Sequence, residues 1–170
     1  WGQRHWFVAL FLLWPAMLAV DRVADYHRDP RIELRAWYDR HPRALVFTSF
    51  YVNPPRQYAH NSRLFRPEYA EGEAVPLRQA DYLILSENWY DTAFANELNG
   101  PLTGDLARLV KTTPAYAGFY RTALAGKHAH LRLDEALDVG NFMPELILHR
   151  RFYGTFQLFV GDIRIFRIVD

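Results

Sequence analysis

The sequence predicts an α/β domain, a small mixed sheet flanked by helices and preceded by one apolar helix. Three observations carry that expectation. The runs ALVFTSF at 44–50 and DYLILSE at 81–87 are short, apolar and rich in strand formers, as buried strands are. The first follows a well-signalled helix after a short turn, which is how an α/β unit opens. Ahead of both, Trp6–Val20 reads WFVALFLLWPAMLAV, without a charge, between Arg4–His5 and Asp21–Arg22.

The apolar stretch would make a helix of roughly 22 Å, against a bilayer core of about 30 Å. Four roles are open to it. A signal peptide needs a small-residue cleavage site, and Leu18, Val20 and Asp21 make a poor one beside Ala16 and Ala19. An interfacial helix needs a polar face, which is missing. A buried core helix suits a slightly shorter run. A transmembrane helix whose start is cut fits best, since Pro15 is better tolerated in lipid than in a soluble helix. The first residue is Trp rather than Met, so the chain is expected to be processed, trimmed or a fragment.

The totals divide the chain into residues 1–28, a membrane helix and linker, and residues 29–170, an α/β body. Without cysteines there is neither a disulfide framework nor a thiolate metal site. A net charge of +1 gives no electrostatic case for nucleic acid as a partner. Aromatics at 16% can fill a core, sit at a membrane interface or stack on sugar rings.

Asp29-Pro30 starts the first helix, with Asp as cap and Pro at the first helical position. It should run to Arg40 with Leu34, Trp37, Tyr38 and His41 on one face, and His41-Pro42 ends it. A strand follows at 44–50. Tyr51–Ala80 holds four of the ten prolines and no periodicity, and is expected to be a long functional loop. The second strand at 81–87 leads through Asn88, Trp89, Tyr90 and Asp91 to a helix expected at 92–98. Further helices are expected at 104–111 and from Thr113-Pro114 to Gly126, the latter with a stripe of Tyr116, Phe119, Tyr120 and Ala123. Strands are expected at 128–133, 146–150, 156–160 and 162–169, the last at the sheet edge after a turn or bulge at Phe159–Asp162.

With D-P-R, R-A-W, ALVFTSFYVNPP, ADYLILSENWYD, TPAYAGFYRTALAG and GDIRIFRIV in this order, the chain resembles the C-terminal soluble region of bacterial integral-membrane glycosyltransferases of the GT-C type. These are related to protein mannosyltransferases and aminoarabinose transferases. The resemblance implies an accessory domain of an enzyme that uses a polyprenyl-phosphate sugar. It implies an extracytoplasmic body on an inner or plasma membrane, and lipid contact through Trp6 to Val20. The family's catalytic aspartates have no counterpart here, so it implies no catalytic residue in this chain. No cofactor is expected. The positive-inside tendency points the other way, because Arg22, Arg28, Arg31, Arg35 and Arg40 follow the apolar run. The alternative is a stand-alone soluble α/β binding or interaction domain.

Substrate contact is expected from the aromatic loop and the second strand's end, at Tyr51, Asn53, Tyr58, Arg63, Asn88, Trp89 and Tyr90. Trp89 and Tyr90 could stack on a pyranose, or form a partly buried corner. His128 and His130 on one strand face could ligate zinc, but a third ligand is not evident, and no metal is expected. Asp81 and Asp91 flank a strand end and could do acid–base work; a strand-start residue and a helix cap are the simpler roles. Ser49 and Ser86 end strands outside any G-x-S-x-G context. His149, Arg150 and Arg151 could meet a phosphate or anionic lipid, or form a solvated face.

Overall fold

Asp29 and Pro30 start the first helix as their chemistry requires. In the computed structural model, which describes residues 29–65, 77–94, 114–138 and 161–170 with scattered positions between 11 and 27, helix α1 covers Pro30–Arg40. The Asp29 carboxylate accepts the Arg31 N–H at 2.9 Å, and the His41 N–H closes the far end on the Trp37 and Tyr38 carbonyls. Strand β1 is Val46–Thr48, β2 is Ser62–Leu64 and β3 is Tyr82–Ser86. Helix α2 is Glu87–Ala93, α3 is Pro114–Leu124, β4 is Leu131–Leu137 and β5 is Ile163–Ile168.

The five strands form one mixed sheet in the order β2-β1-β3-β5-β4. β1 pairs in parallel with β2 and β3, whereas β5 runs antiparallel to β3 and β4. Alternation along the strands divides the core in two. Val46, Tyr82, Ile84, Ile163 and Ile165 face Leu34, Trp37 and Tyr38 of α1. Phe47, Leu83, Leu85 and Phe166 face Tyr90 and Ala93 of α2 and Ala117, Phe119, Tyr120 and Ala123 of α3. A bulge in β4 between Leu133 and Glu135 lets one strand serve both layers. Before it Leu131 packs with α2 and α3; after it Leu137 packs with α1. Helix α3 ends as Gly126 predicts. Gly126 takes φ +67°, its N–H reaches the Ala123 carbonyl at 3.0 Å, and the Lys127 N–H reaches that of Thr122 at 2.8 Å.

Several expectations need correction. The last strand is interior, between β3 and β4, because its two faces carry Ile163 and Ile165 on one side and Phe166 and Ile168 on the other. The edges fall to the more polar SRL and LRLDEAL. The helix expected at 92–98 begins at Glu87, straight out of β3. The strand expected at 128–133 begins at Leu131, because His128–His130 form a turn in which the Leu131 N–H reaches back to the His128 carbonyl. Among the described residues of Tyr51–Ala80 lie two 3₁₀ turns, Arg56–Asn61 and Leu77–Gln79, and strand β2. The first turn provides the crossover that two parallel strands require. The elements expected at 104–111, 146–150 and 156–160 lie outside the described residues, as does much of the turn at Phe159–Asp162.

In the apolar stretch, the described positions Phe11, Leu12, Leu13 and Val20 are helical and exposed, Phe11 to 82%. Among the described residues no helix is long and apolar enough to cross a membrane. Trp6 to Leu10, Trp14 and Leu18 lie outside them.

Tyr38 gives the α1 layer a pH dependence. Burial pushes its phenol up to about 12, partly offset by its hydrogen bond to the Ser62 hydroxyl at 3.2 Å. A raised folded-state value means stability is intact below about pH 10, where the unfolded phenol titrates, and is lost as pH climbs through 12. The loss is expected to be about 2–3 kcal/mol. Urea unfolding across this range should show the fall in the native chain and a smaller one in Tyr38→Phe. Tyr58, raised by its hydrogen bond to Asp39, contributes a residual loss of the same sign.

Candidate functional site: an aromatic shelf at the ends of β1 and β3

β1 and β3 run parallel and finish side by side. From β1 the chain departs to β2 on one flank and returns to β3 on the other. In α/β sheets a crevice beyond the C-terminal ends of strands at such a reversal is where ligands bind. The ladder continues one step past β1, with the Ser49 N–H donating to the Ile84 carbonyl at 2.9 Å.

Beyond that point two buried serines fasten the next residues. The Ser86 N–H donates to Ser49 Oγ at 2.9 Å, and Ser86 Oγ donates to the Phe50 carbonyl at 2.8 Å. Ser49 Oγ also donates to the Phe50 carbonyl, at 3.2 Å. On the other side of β3, Glu87 is buried and joined to Asp162 in both directions. Its N–H donates to the Asp162 carbonyl at 2.8 Å, and its carboxylate accepts the Asp162 N–H at 3.1 Å. Arg164, held at 3.0 Å by Asp162 and 2.5 Å by Asp138, completes that corner.

The fastened loop is strained. Tyr51 has φ 69° and Asn53 φ 25°, in the left-handed region that side chains disfavour. Strain of this kind, about 1–3 kcal/mol per residue, persists only where surrounding contacts enforce it, and it concentrates at functional sites. Here it turns Phe50 and Tyr51 outward, 49% and 45% exposed. Both lean on half-buried Trp89 of α2. Phe50 and Trp89 have ring centroids 4.8 Å apart, Tyr51 and Trp89 6.1 Å, and Phe50 and Tyr51 6.3 Å. The result is an open three-ring shelf whose inner ring is anchored in the α2–α3 core.

Of the residues expected to contact substrate, Tyr51 and Trp89 meet directly, and Asn53 lies in the same exposed loop. Phe50 joins them, although the sequence assigned it to the buried strand. β1 stops at Thr48, which frees it. Tyr90 is instead a core residue, 8% exposed and near Tyr120. Tyr58 belongs to the α1 face, stacked on Tyr38 at 5.3 Å with its hydroxyl donating to Asp39 at 2.6 Å. Arg63 is exposed on edge strand β2, paired with Phe47 rather than near the shelf. Asn88 lies in α2, and its side chain is outside the described residues.

The rings of the shelf offer flat apolar surface to a binding partner. The two serine hydroxyls are buried and engaged with the Phe50 carbonyl, so neither is poised as a nucleophile. Asp81 precedes β3 and Asp91 lies in α2, so the two positions fall beyond opposite ends of that strand. His128 and His130 have ring centroids 6.2 Å apart, and burial together with the neighbouring His130 holds the His128 pKa below its ordinary value. Among the described residues no group of three or more histidines or carboxylates could hold a metal ion. His149, Arg150 and Arg151 lie outside them.

Removing the fastener should be measurable. Ser86→Ala takes away a buried hydrogen bond and a side chain that holds the strained turn, which should cost about 1–3 kcal/mol in urea unfolding. It should also raise amide exchange at Tyr51 and Asn53 while leaving the α1 layer protected. No family model, curated protein or solved structure matches the chain.

Proposed function

We propose that this chain is the membrane-attached accessory domain of a glycosyltransferase that uses a polyprenyl-phosphate sugar, with the Phe50–Tyr51–Trp89 shelf contacting the sugar. One observation carries the proposal: two exposed aromatic rings, turned outward by left-handed backbone, rest on an anchored tryptophan at the ends of parallel strands. Flat aromatic faces suit the apolar C–H faces of a pyranose, and the polar loop residue Asn53 suits its hydroxyls.

The apolar stretch supports the membrane part. Phe11, Leu12, Leu13, Val20 and Val23 are exposed, a concentration of apolar surface that water tolerates poorly and lipid accepts. Trp6 to Val20 is the lipid contact, and the body lies on the extracytoplasmic side of an inner or plasma membrane. The arginines after the stretch do not forbid that side, because folded domains translocate largely regardless of charge. The bond-forming chemistry belongs to another part of the enzyme.

A second reading, a self-sufficient α/β binding domain, draws on a different fact. Both core layers begin at Leu34 or later and use none of Phe11, Leu12, Leu13 or Val20.

Saturation-transfer NMR tests the shelf with methyl hexosides and the chain in phosphatidylcholine nanodiscs. The sugar ring protons should receive saturation from the native protein and lose most of it in Tyr51→Ala and Trp89→Ala. Tyr58→Ala, on the α1 face, should leave it intact. Equal transfer in all four proteins, or none in the native one, would remove the proposal. Deleting residues 1–28 should leave a folded body with unchanged transfer but no membrane association; collapse on deletion would mean that the apolar stretch is core.

A further inference from the structure

At the opposite end of β3 from the shelf, a cleft of about 560 Å³ opens between Arg78, Ala80, Asp81 and Tyr82 on one wall and Arg167 and Asp170 on the other. Its size is that of a small-ligand site. It is independent of the aromatic shelf.

Arg167 is placed there by Tyr82. Its guanidinium lies over the Tyr82 ring, 5.8 Å from the centroid, and Nη2 donates to Tyr82 Oη at 3.2 Å. Tyr82 is itself fixed by Trp37, at 5.0 Å between ring centroids, so a ring of the α1 layer holds the exposed guanidinium. Tyr82 occupies one of its five N–H donors. Asp134 is the acidic group acting on Arg167, but among the described residues Arg167 forms no ion pair. Arg132 stands directly opposite it in the β4–β5 register, a like-charge pairing that a sheet normally avoids. Arg132 is spent on the backbone carbonyls of His128 and Leu131, and among the described residues Tyr82 Oη accepts from the Arg167 guanidinium. Arg78 has only a 3.8 Å contact with Asp170, whose side chain is 98% exposed, and such a pair contributes little.

The carboxylates select the ligand further. Asp81 Oδ2 accepts the Leu45 N–H at 2.9 Å, and its second oxygen accepts nothing among the described residues. Two arginines stand against two aspartates in the cleft, so a bare anion gains little there. A ligand that offers an anionic group to the guanidinium forks and hydroxyl donors to the carboxylates uses all four.

We infer that this cleft binds a phosphate ester flanked by hydroxyl groups. The phosphate lies between Arg78 and Arg167, and the hydroxyls donate to Asp81 and Asp170. Two sources share this chemistry, a soluble polyol phosphate and the phosphoglycerol headgroup of an anionic lipid.

Calorimetry on the full chain in phosphatidylcholine nanodiscs tests it, with glycerol 3-phosphate as the probe. Saturable binding is expected, roughly tenfold or more tighter than that of inorganic phosphate or glycerol. Arg78→Gln/Arg167→Gln should weaken it by a similar factor with an unchanged circular dichroism spectrum. Arg167→Lys, which keeps the charge and loses the fork, guards against a folding failure and should lie between. Asp81→Asn keeps an acceptor for Leu45 and should lose part of the preference over inorganic phosphate. In discs containing phosphatidylglycerol, loss of probe binding identifies the lipid headgroup as occupant, and unchanged binding identifies a soluble ligand; both support the site. Absence of saturable binding in phosphatidylcholine discs, or native affinity in the double variant, would overturn it. Inorganic phosphate binding as tightly as the probe would overturn the role of the carboxylates.

Discussion

β3 is buried on both faces, and the rest of the described structure depends on it. Tyr82 to Ser86 range from 0% to 6% exposed, with Leu83, Ile84 and Leu85 all at 0%. A strand with apolar residues on both sides needs a layer on each, and α1 supplies one while α2 and α3 supply the other. It needs a neighbour along both edges as well, which β1 and β5 provide. Burying one leucine or isoleucine side chain contributes about 1.5–3 kcal/mol, so this short strand concentrates much of the driving force. Its two ends also carry the aromatic shelf and the arginine-lined cleft.

The legible part of the fold was the part set by local chemistry. Asp29-Pro30 and Gly126 act at single positions through a cap and a left-handed turn, so both helix boundaries follow from residue type. The runs at 44–50 and 81–87 were recognisable as buried strands by their continuous hydrophobicity. The illegible parts depended on partners distant in sequence. IRIFRI alternates imperfectly because both its faces are buried, and only the pairing with β3 and β4 makes it interior. Ser-Arg-Leu of β2 is too short and polar to stand out, and its pairing with β1 defines it. The β4 bulge, which moves Leu137 to the opposite layer from Leu131, has no signal in LRLDEAL itself.

The grouping of the candidate residues was half legible for the same reason. Tyr51 and Trp89 could be named from their places after two strands. Phe50 could not, because β1 ends earlier than the apolar run that marks it. Tyr90, one residue from Trp89, turns into the core because neighbouring helix positions point about 100° apart. The two serines follow a simpler logic. Strained backbone at Tyr51 and Asn53 needs buried hydrogen bonds to persist, and strand-ending serines are small enough to supply them without entering the shelf.

Membrane attachment through the apolar stretch is the central claim, since it gives the shelf its substrate class and its setting. Photolabelling with a carbene reagent dissolved in the lipid phase of vesicles tests it most directly, with the modified residues located by mass spectrometry. The account predicts label concentrated within Trp6–Val20 and absent from Leu34, Trp37, Leu83 and Leu85 of the body. Label spread evenly over the chain, or absent from the stretch while the protein remains folded in solution, would contradict it.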